Sequence, residues 1–311
     1  MKWIIVVVLC LIGGLLWIGN YFYCFSLSRS FKREKAPQEK NESGVKSPAM
    51  AELEKWMNQI PSKEKVKIET QDGLVLHGYQ FNQIVSTHKW AIVVHGYTSE
   101  ARMMLYYAKH FFEAGYNVLM PNLRGHGESE GNYIGMGWHD RLDVMKWIDF
   151  ILGQDDEAEI VPFGISMGGA TVMMLAGEDL PVQIKAIVED CGYTSVYDEF
   201  SYQLKQMFNL GKYPIIPLAS LICRVRAGYT FKEASAVNQL KKAKVPILFI
   251  HGDQDTFVPT SMLNQVYESC ASPRQKLLVK GARHAEAAYV NPDLYWSTIF
   301  EFLSGYITLG R

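Results

Sequence analysis

No charge of either sign dominates this chain of 311 residues: 31 Lys and Arg balance 32 Asp and Glu, for a formal net charge of −1. Near-neutrality argues against bulk nucleic-acid binding, and no basic stripe interleaved with aromatics offers a local substitute. Cysteine is scarce too. The five present (Cys10, Cys24, Cys191, Cys223, Cys270) are an odd number without metal-ligand spacing and read as free thiols. There is no internal repeat and no ligand cluster that suggests a metal, so no cofactor is expected. What remains is 48% hydrophobic and 13% aromatic, ample for one large domain with a sizeable core.

Charge is absent in one place above all. From Trp3 to Leu27 (WIIVVVLCLIGGLLWIGNYFYCFSL) there is none, and only Asn20 is strongly polar. At about 1.5 Å per helical residue this stretch is long enough to cross a hydrocarbon core of roughly 30 Å. Trp17, Tyr21, Phe22 and Tyr23 near its far end read as an interfacial belt. A cleaved signal peptide would have a shorter apolar core and end at a small-residue site, which is absent. The expectation is an uncleaved single-pass anchor contacting the bilayer through residues 3–27. Arg29, Lys32, Arg33 and Lys35 follow it, against Lys2 and the amino terminus before it, so flanking charge weakly favours a cytoplasmic catalytic domain.

Residues 29–49 (RSFKREKAPQEKNESGVKSPA) are charged and polar with two prolines, as a solvated linker would be. From about Glu64 short apolar runs alternate with helical stretches. "EKVKIET" and "LVLHGYQF" flank Asp72-Gly73 as a hairpin. "WAIVVH" (90–95), "NVLMP" (117–121), "EIVPF" (159–163), "KAIVED" (185–190), "PILFIH" (246–251) and "QKLLVK" (275–280) read as further strands. Amphipathic segments at 99–114, 138–152, 260–270 and 291–304 lie between or after them. Alternation of this kind implies crossover connections and a mostly parallel, doubly wound sheet. More than fifty residues separate Asp190 from Val245, with helical pieces at 194–210, 216–227 and 231–242. An insertion that long predicts a cap over the strand ends, with an apolar underside. Its eight Lys/Arg against three Asp/Glu between 196 and 244 read as a solvated face or as a greeting for an anionic substrate or a phospholipid surface.

Ligands of open α/β sheets bind beyond the carboxyl ends of the strands, so reactive residues there count most. "GISMGGA" follows the strand 159–163 and opens a helix, the strand–turn–helix setting of a nucleophile elbow with Ser166 at its apex. A serine hydroxyl needs a base, and His284 in "GARHAEA" is the candidate. A neutral imidazole needs a carboxylate to fix its tautomer, and Asp255 in "HGDQDTFVP" is preferred to Asp253, which reads as a turn former. The backbone N–H groups of Met167 and of Tyr97, in "HGYTSE", are the candidate oxyanion donors. His95, His126, His139 and His251 are read as loop-packing residues.

Together "HGYTSE", "PNLRGHGESEG", "GISMGGA", "HGDQDTFVP" and "GARHAEA" resemble the α/β-hydrolase superfamily, and within it the bacterial membrane-anchored carboxylesterases and serine aminopeptidase-like hydrolases. The resemblance covers about 64–311. It implies an α/β-hydrolase fold, a mostly parallel sheet of about eight strands with a helical cap, and a serine hydrolase without cofactor or metal. Ser166 would be acylated, Asp255 and His284 would complete the relay, and Tyr97 and Met167 would bind the oxyanion. One departure lies near Glu286, where relatives often carry a small hydroxyl residue. The expected organisation is a transmembrane anchor over 1–28, a polar linker and lead-in over 29–62, and the hydrolase domain over 63–311 with its cap at about 192–243.

The expected substrate is a small-molecule ester with a small to medium acyl group, the acyl chain lying under the apolar cap. A peptidase, thioesterase or acyltransferase would use the same residues, because fold and triad do not fix the acceptor. A non-catalytic binding protein on the same scaffold is the alternative of another class.

Overall fold

The computed structural model describes residues 2–31 and 50–308; most of the expected linker, 32–49, lies outside them. Eight strands form one sheet: β1 (Lys63–Glu69), β2 (Val75–Phe81), β3 (Lys89–Val94), β4 (Asn117–Pro121), β5 (Glu159–Ile165), β6 (Ile187–Asp190), β7 (Ile247–Gly252) and β8 (Arg274–Val279). Their spatial order is β1-β2-β4-β3-β5-β6-β7-β8. β1 and β2 pair antiparallel around the Asp72-Gly73 turn, and β2 pairs antiparallel with β4. All later pairings are parallel.

Buried strands on both faces explain why the strand sequences read as continuous apolar runs. In β3, Trp90, Ile92 and Val94 enter one core layer while Ala91 and Val93 enter the other. The second layer also takes Leu53 and Met57 from a helix over Met50–Gln59, within the stretch expected as polar linker and lead-in. Trp56 of that helix stands edge-on to Phe81 and Phe112, at 5.9 Å from each. The lead-in is short and mostly polar, and only its docking onto these rings makes a helix of it.

For reference the helices are α1 (Lys2–Leu27), α2 (Met50–Gln59), α3 (Leu105–Glu113), α4 (Asp140–Leu152), α5 (Met167–Leu175), α6 (Val196–Phe208), α7 (Ile215–Ala227), α8 (Ala236–Leu240), α9 (Ser261–Ser269), α10 (Ala287–Val290) and α11 (Pro292–Ser304). The long interval between β6 and β7 is a helical segment, α6 to α8. α6 begins at a serine cap, with Ser195 Oγ accepting from the Asp198 N–H at 3.0 Å, and ends at Asn209 in a left-handed conformation. α7 ends likewise at Gly228.

Among the described residues, α1 is the one helix long and apolar enough to cross a membrane. Residues 2–17 are exposed, whereas its last turns pack against α7. The expected aromatic belt divides accordingly. Trp17 and Tyr21 face outward, but Tyr23 is buried against the cap, because the cap covers that side of the helix.

One buried ion cluster ties the loop after β4 to the sheet. Arg124 donates to both oxygens of Asp143 at 2.7 Å and to Asp72 at 3.0 and 3.1 Å. Arg124 and Asp143 are almost completely buried, while Asp72 is half-exposed. Their contributions should differ accordingly. Removing a partner from a buried pair strands a charge and costs about 3–5 kcal/mol, whereas an exposed pair is worth about 0–1 kcal/mol. Chemical denaturation of the full chain in detergent is expected to show Arg124→Gln destabilised by about 3–5 kcal/mol and Asp72→Asn by about 1 kcal/mol or less. Equal losses would contradict this division.

Candidate active site

The site forms where the strand order reverses, between β3 and β5, in the place where ligands of such sheets bind. β5 delivers Ser166 into a turn so tight that its φ is 57° and its ψ −115°, a conformation costly for any residue with a side chain. Two glycines make the turn possible. A Cβ at Gly164 would sit 2.1 Å from the Gly168 carbonyl oxygen, and one at Gly168 would sit 2.2 Å from that of Val94. The turn is pinned by the Ser166 N–H donating to the Asp190 carbonyl at 2.8 Å.

Ser166, His284 and Asp255, placed after β5, β8 and β7, are brought into one line. Ser166 Oγ donates to His284 Nε2 at 2.9 Å, and His284 Nδ1 donates to Asp255 Oδ2 at 2.7 Å. Asp255 is buried, and its other oxygen accepts the Phe257 and Val258 N–H groups at 2.9 Å each. Burial opposes its charge, yet the hydrogen bonds from His251 and His284 hold its carboxyl down at about 2. Asp253 turns away and accepts from the Gly281 N–H at 2.6 Å, as a turn former does. The Phe257 ring lies 4.8 Å from the His284 ring and covers it.

Met167 opens α5, so its N–H belongs to the first helical turn, whose donors have no helical partner. Tyr97 follows β3 beside Ser166, and its hydroxyl donates to the Ser26 carbonyl of α1 at 2.5 Å. Glu286 lies beside its own loop and accepts the Arg283 N–H at 3.2 Å.

His95 and His126 pack loops. His95 bonds the Gly96 carbonyl at 2.7 Å and accepts the Leu123 N–H at 3.0 Å, and burial lowers its pKa to about 4. His251 does more than loop packing. Its Nε2 lies 2.9 Å from the Val258 carbonyl and 3.2 Å from Asp255 Oδ2, so Asp255 faces two imidazoles. Sequence reasoning had one signal for it, four residues' spacing from Asp255, and did not use it. Cys191 also lies near Asp255 and His284, within 4.8 Å, a spacing at which three ligand atoms can hold a cation. Burial raises its thiol well above the ordinary value, the wrong direction for a thiolate ligand.

A cavity of about 870 Å³ opens over Ser166. Tyr97, Phe200, Leu204, Phe208 and Phe257 give it an apolar wall, and Phe22, Phe25 and Phe31 close it on the side of α1 and the residues just after it. Glu199 projects from α6 into its lining. Its Oε1 accepts from Gln203 at 2.9 Å, and its buried Oε2 has no hydrogen-bond partner among the described residues. Burial raises the Glu199 carboxyl to about 8.

Fold and site define the class: the chain has the α/β-hydrolase fold. Within it, residues 86–191 match the family model described as "Serine aminopeptidase, S33". The chain is 28% identical over 213 residues to the uncharacterized protein YqkD of Bacillus subtilis (strain 168), spanning 68% of this chain and 70% of that one. An uncharacterized membrane protein of Saccharomyces cerevisiae is 22% identical over 242 residues, 77% of this chain and 79% of that one. The esterase Pf2001 of Pyrococcus furiosus superposes with a TM-score of 0.66 at 24% identity, covering 85% of this chain and 98% of that chain.

Glu189, buried behind the site, carries a pH signature. Burial raises its carboxyl from 4.5 to about 8, while one oxygen accepts the Gly192 N–H at 2.9 Å. A carboxyl whose folded pKa is raised contributes stability that is fully present below its unfolded value and lost as pH rises through the folded one. The thermal midpoint of the full chain in detergent should therefore fall between pH 5 and 8, and Glu189→Gln, which keeps the oxygen acceptor, should flatten that fall. An unchanged slope would remove Glu189 as its source.

Proposed function

We propose that the protein is a membrane-anchored serine hydrolase that cleaves carboxylic esters through an acyl-enzyme on Ser166. The observation that carries this is the unbroken line Ser166–His284–Asp255, at 2.9 and 2.7 Å, on a strained elbow beneath a large apolar cavity. The likeness to an esterase fold and to the serine aminopeptidase model supports a hydrolase.

In this reading His284 Nε2 takes the Ser166 proton as the oxygen attacks the ester carbonyl, and the imidazolium is stabilised by Asp255, which stays ionised. The negative charge on the tetrahedral carbon's oxygen is met by the N–H groups of Met167 and Tyr97, already fixed by the backbone. The alcohol leaves with the proton from His284, and water repeats the sequence on the acyl-enzyme. The apolar lining supports an acyl chain over a peptide. A peptidase of the matched family remains the second reading, because it would use the same relay.

α1 serves as the membrane anchor in this proposal, on its length, its lack of charge and its bare outer half. The likeness to a yeast membrane protein supports it.

Fluorophosphonate labelling of the full chain in detergent is expected for the native sequence and absent for Ser166→Ala. Asp255→Asn, with the same shape and no charge, should lower kcat on p-nitrophenyl butyrate by about 10⁴-fold. Undiminished labelling of the folded alanine variant, or an asparagine variant of normal rate, would sink the proposal. Faster turnover of aminoacyl amides than of matched esters would move the peptidase reading to the front.

A further inference from the structure

The bare part of α1 is too short to cross a bilayer by itself. Residues 2–17 carry no protein cover, and at about 1.5 Å per residue these sixteen positions reach about 24 Å, against a hydrocarbon core of about 30 Å. The helix must therefore submerge some of the turns that pack on the cap, and the cap goes with them. The contact there is close: a Cβ at Gly19 would lie 2.9 Å from Leu218 Cβ of α7. On the same segment Met207, Leu210, Tyr213, Leu221 and Val225 expose apolar surface, with Val225 at 79%. Lys205, Lys212, Arg224 and Arg226 stand among them, the cations that suit lipid headgroups.

The buried turns of α1 do not end against solid core. Phe22 and Phe25 pack edge-on to Phe208 at 5.5 and 5.4 Å, and all three line the cavity that reaches Ser166. Tyr97, beside Ser166, bonds the backbone of α1 at Ser26. The anchor is thus a wall of the substrate cavity, and the cavity's aromatic end lies where the bilayer surface must fall. Toward the start of α6 the polar side chain of Glu199 lies in the cavity's lining.

We infer that the substrate is a single-chain, long-chain fatty acyl ester of glycerol resident in the bilayer, which enters between the last turns of α1 and the cap. This rests on the ester-hydrolase reading and carries it to a substrate class. The ester carbonyl meets Ser166, the hydroxyl-bearing head faces Glu199, and the tail runs back along Phe200 and Leu204 toward Phe25 and Phe208. Attack by Ser166 Oγ breaks the acyl C–O bond, the glycerol oxygen leaves with the proton from His284, and water then releases the fatty acid. A cavity of about 870 Å³ lies near the top of the range of about 300–1,000 Å³ that encloses a drug-sized ligand, far more than a short acyl group fills.

The test uses the full chain in phosphatidylcholine vesicles, with 1-oleoylglycerol, 1-oleoyl-lysophosphatidylglycerol and 1-butyrylglycerol, and p-nitrophenyl butyrate as a soluble check. At least tenfold higher kcat/KM for either oleoyl ester than for 1-butyrylglycerol is expected, and the faster of the two names the head. Leu204→Trp, which fills the cavity, should lower the oleoyl-to-butyryl ratio at least tenfold. Independently, Ser166→Ala protein should crosslink a monoacylglycerol bearing a diazirine at its tail on residues 22–31 and 200–208. Turnover of p-nitrophenyl butyrate with no oleoyl preference, or crosslinks confined to residues 3–17, would overturn the inference and leave the hydrolase reading intact. Failure on every ester by folded protein would instead overturn the hydrolase reading beneath it.

Discussion

Everything at the site depends on how closely α5 is drawn against β3 and β5. A side chain at Gly168 would collide with the Val94 carbonyl, and one at Gly164 with Gly168 itself. Only at that separation does the chain leave β5 in a left-handed conformation and lift Ser166 above the sheet. The same closeness sets Met167 at the start of α5, so the proposed nucleophile and one proposed oxyanion donor are consecutive residues of one strained turn. The strain is held by the core around it: α5 is buried along its whole length, and the Asp190 carbonyl fixes the Ser166 N–H.

α1 and the site share structure as well as sequence. α1 contributes aromatic rings to the cavity and a backbone carbonyl to Tyr97, a proposed oxyanion donor. A helix that merely tethered the domain would need no such contacts. Arg29, just past α1, donates to the carbonyls of Gly127, Ser129 and Gly131, and the Ile134 N–H donates back to the Leu27 carbonyl, so the end of the helix is stitched to the loop after β4. Position of α1 and shape of the cavity are therefore linked by covalent continuity and hydrogen bonds together.

The central strands were legible because both faces of the sheet are buried there, which makes each of them a short apolar run bounded by polar turns, while the edge strands β1 and β8 are largely exposed. The elbow was legible because its chemistry requires small residues at fixed offsets from the serine. Tertiary packing was harder to read. The helix at Met50–Gln59 (MAELEKWMNQ) is made of good helix formers, but its ten residues are too few to hold a helix alone, and it is kept by the docking of Trp56, Leu53 and Met57. The placement of α1 against α7 depends on Gly19 meeting Leu218, a pairing across about two hundred residues that no local pattern announces. Glu199 was missed for the same reason, marked by what it faces in space and by nothing in its own segment, whereas His251 had only its four-residue spacing from Asp255 to mark it.

Those two residues bear on how the relay keeps its charges in order. Asp255 sits among buried acids, and like charges at such spacing would compete for the proton that His284 acquires. Burial resolves the competition by raising Glu189 and Glu199 to about 8, so both are largely protonated at neutral pH. Asp255 differs because it is the carboxylate with donors on every side: two backbone N–H groups on one oxygen, and His251 and His284 on the other. Desolvation acts on all three groups in the same sense, and hydrogen bonding decides which of them stays charged. The imidazolium that forms during the proposed reaction then finds its negative partner at Asp255, because the fold has supplied donors there and withheld them at Glu189 Oε1 and Glu199 Oε2.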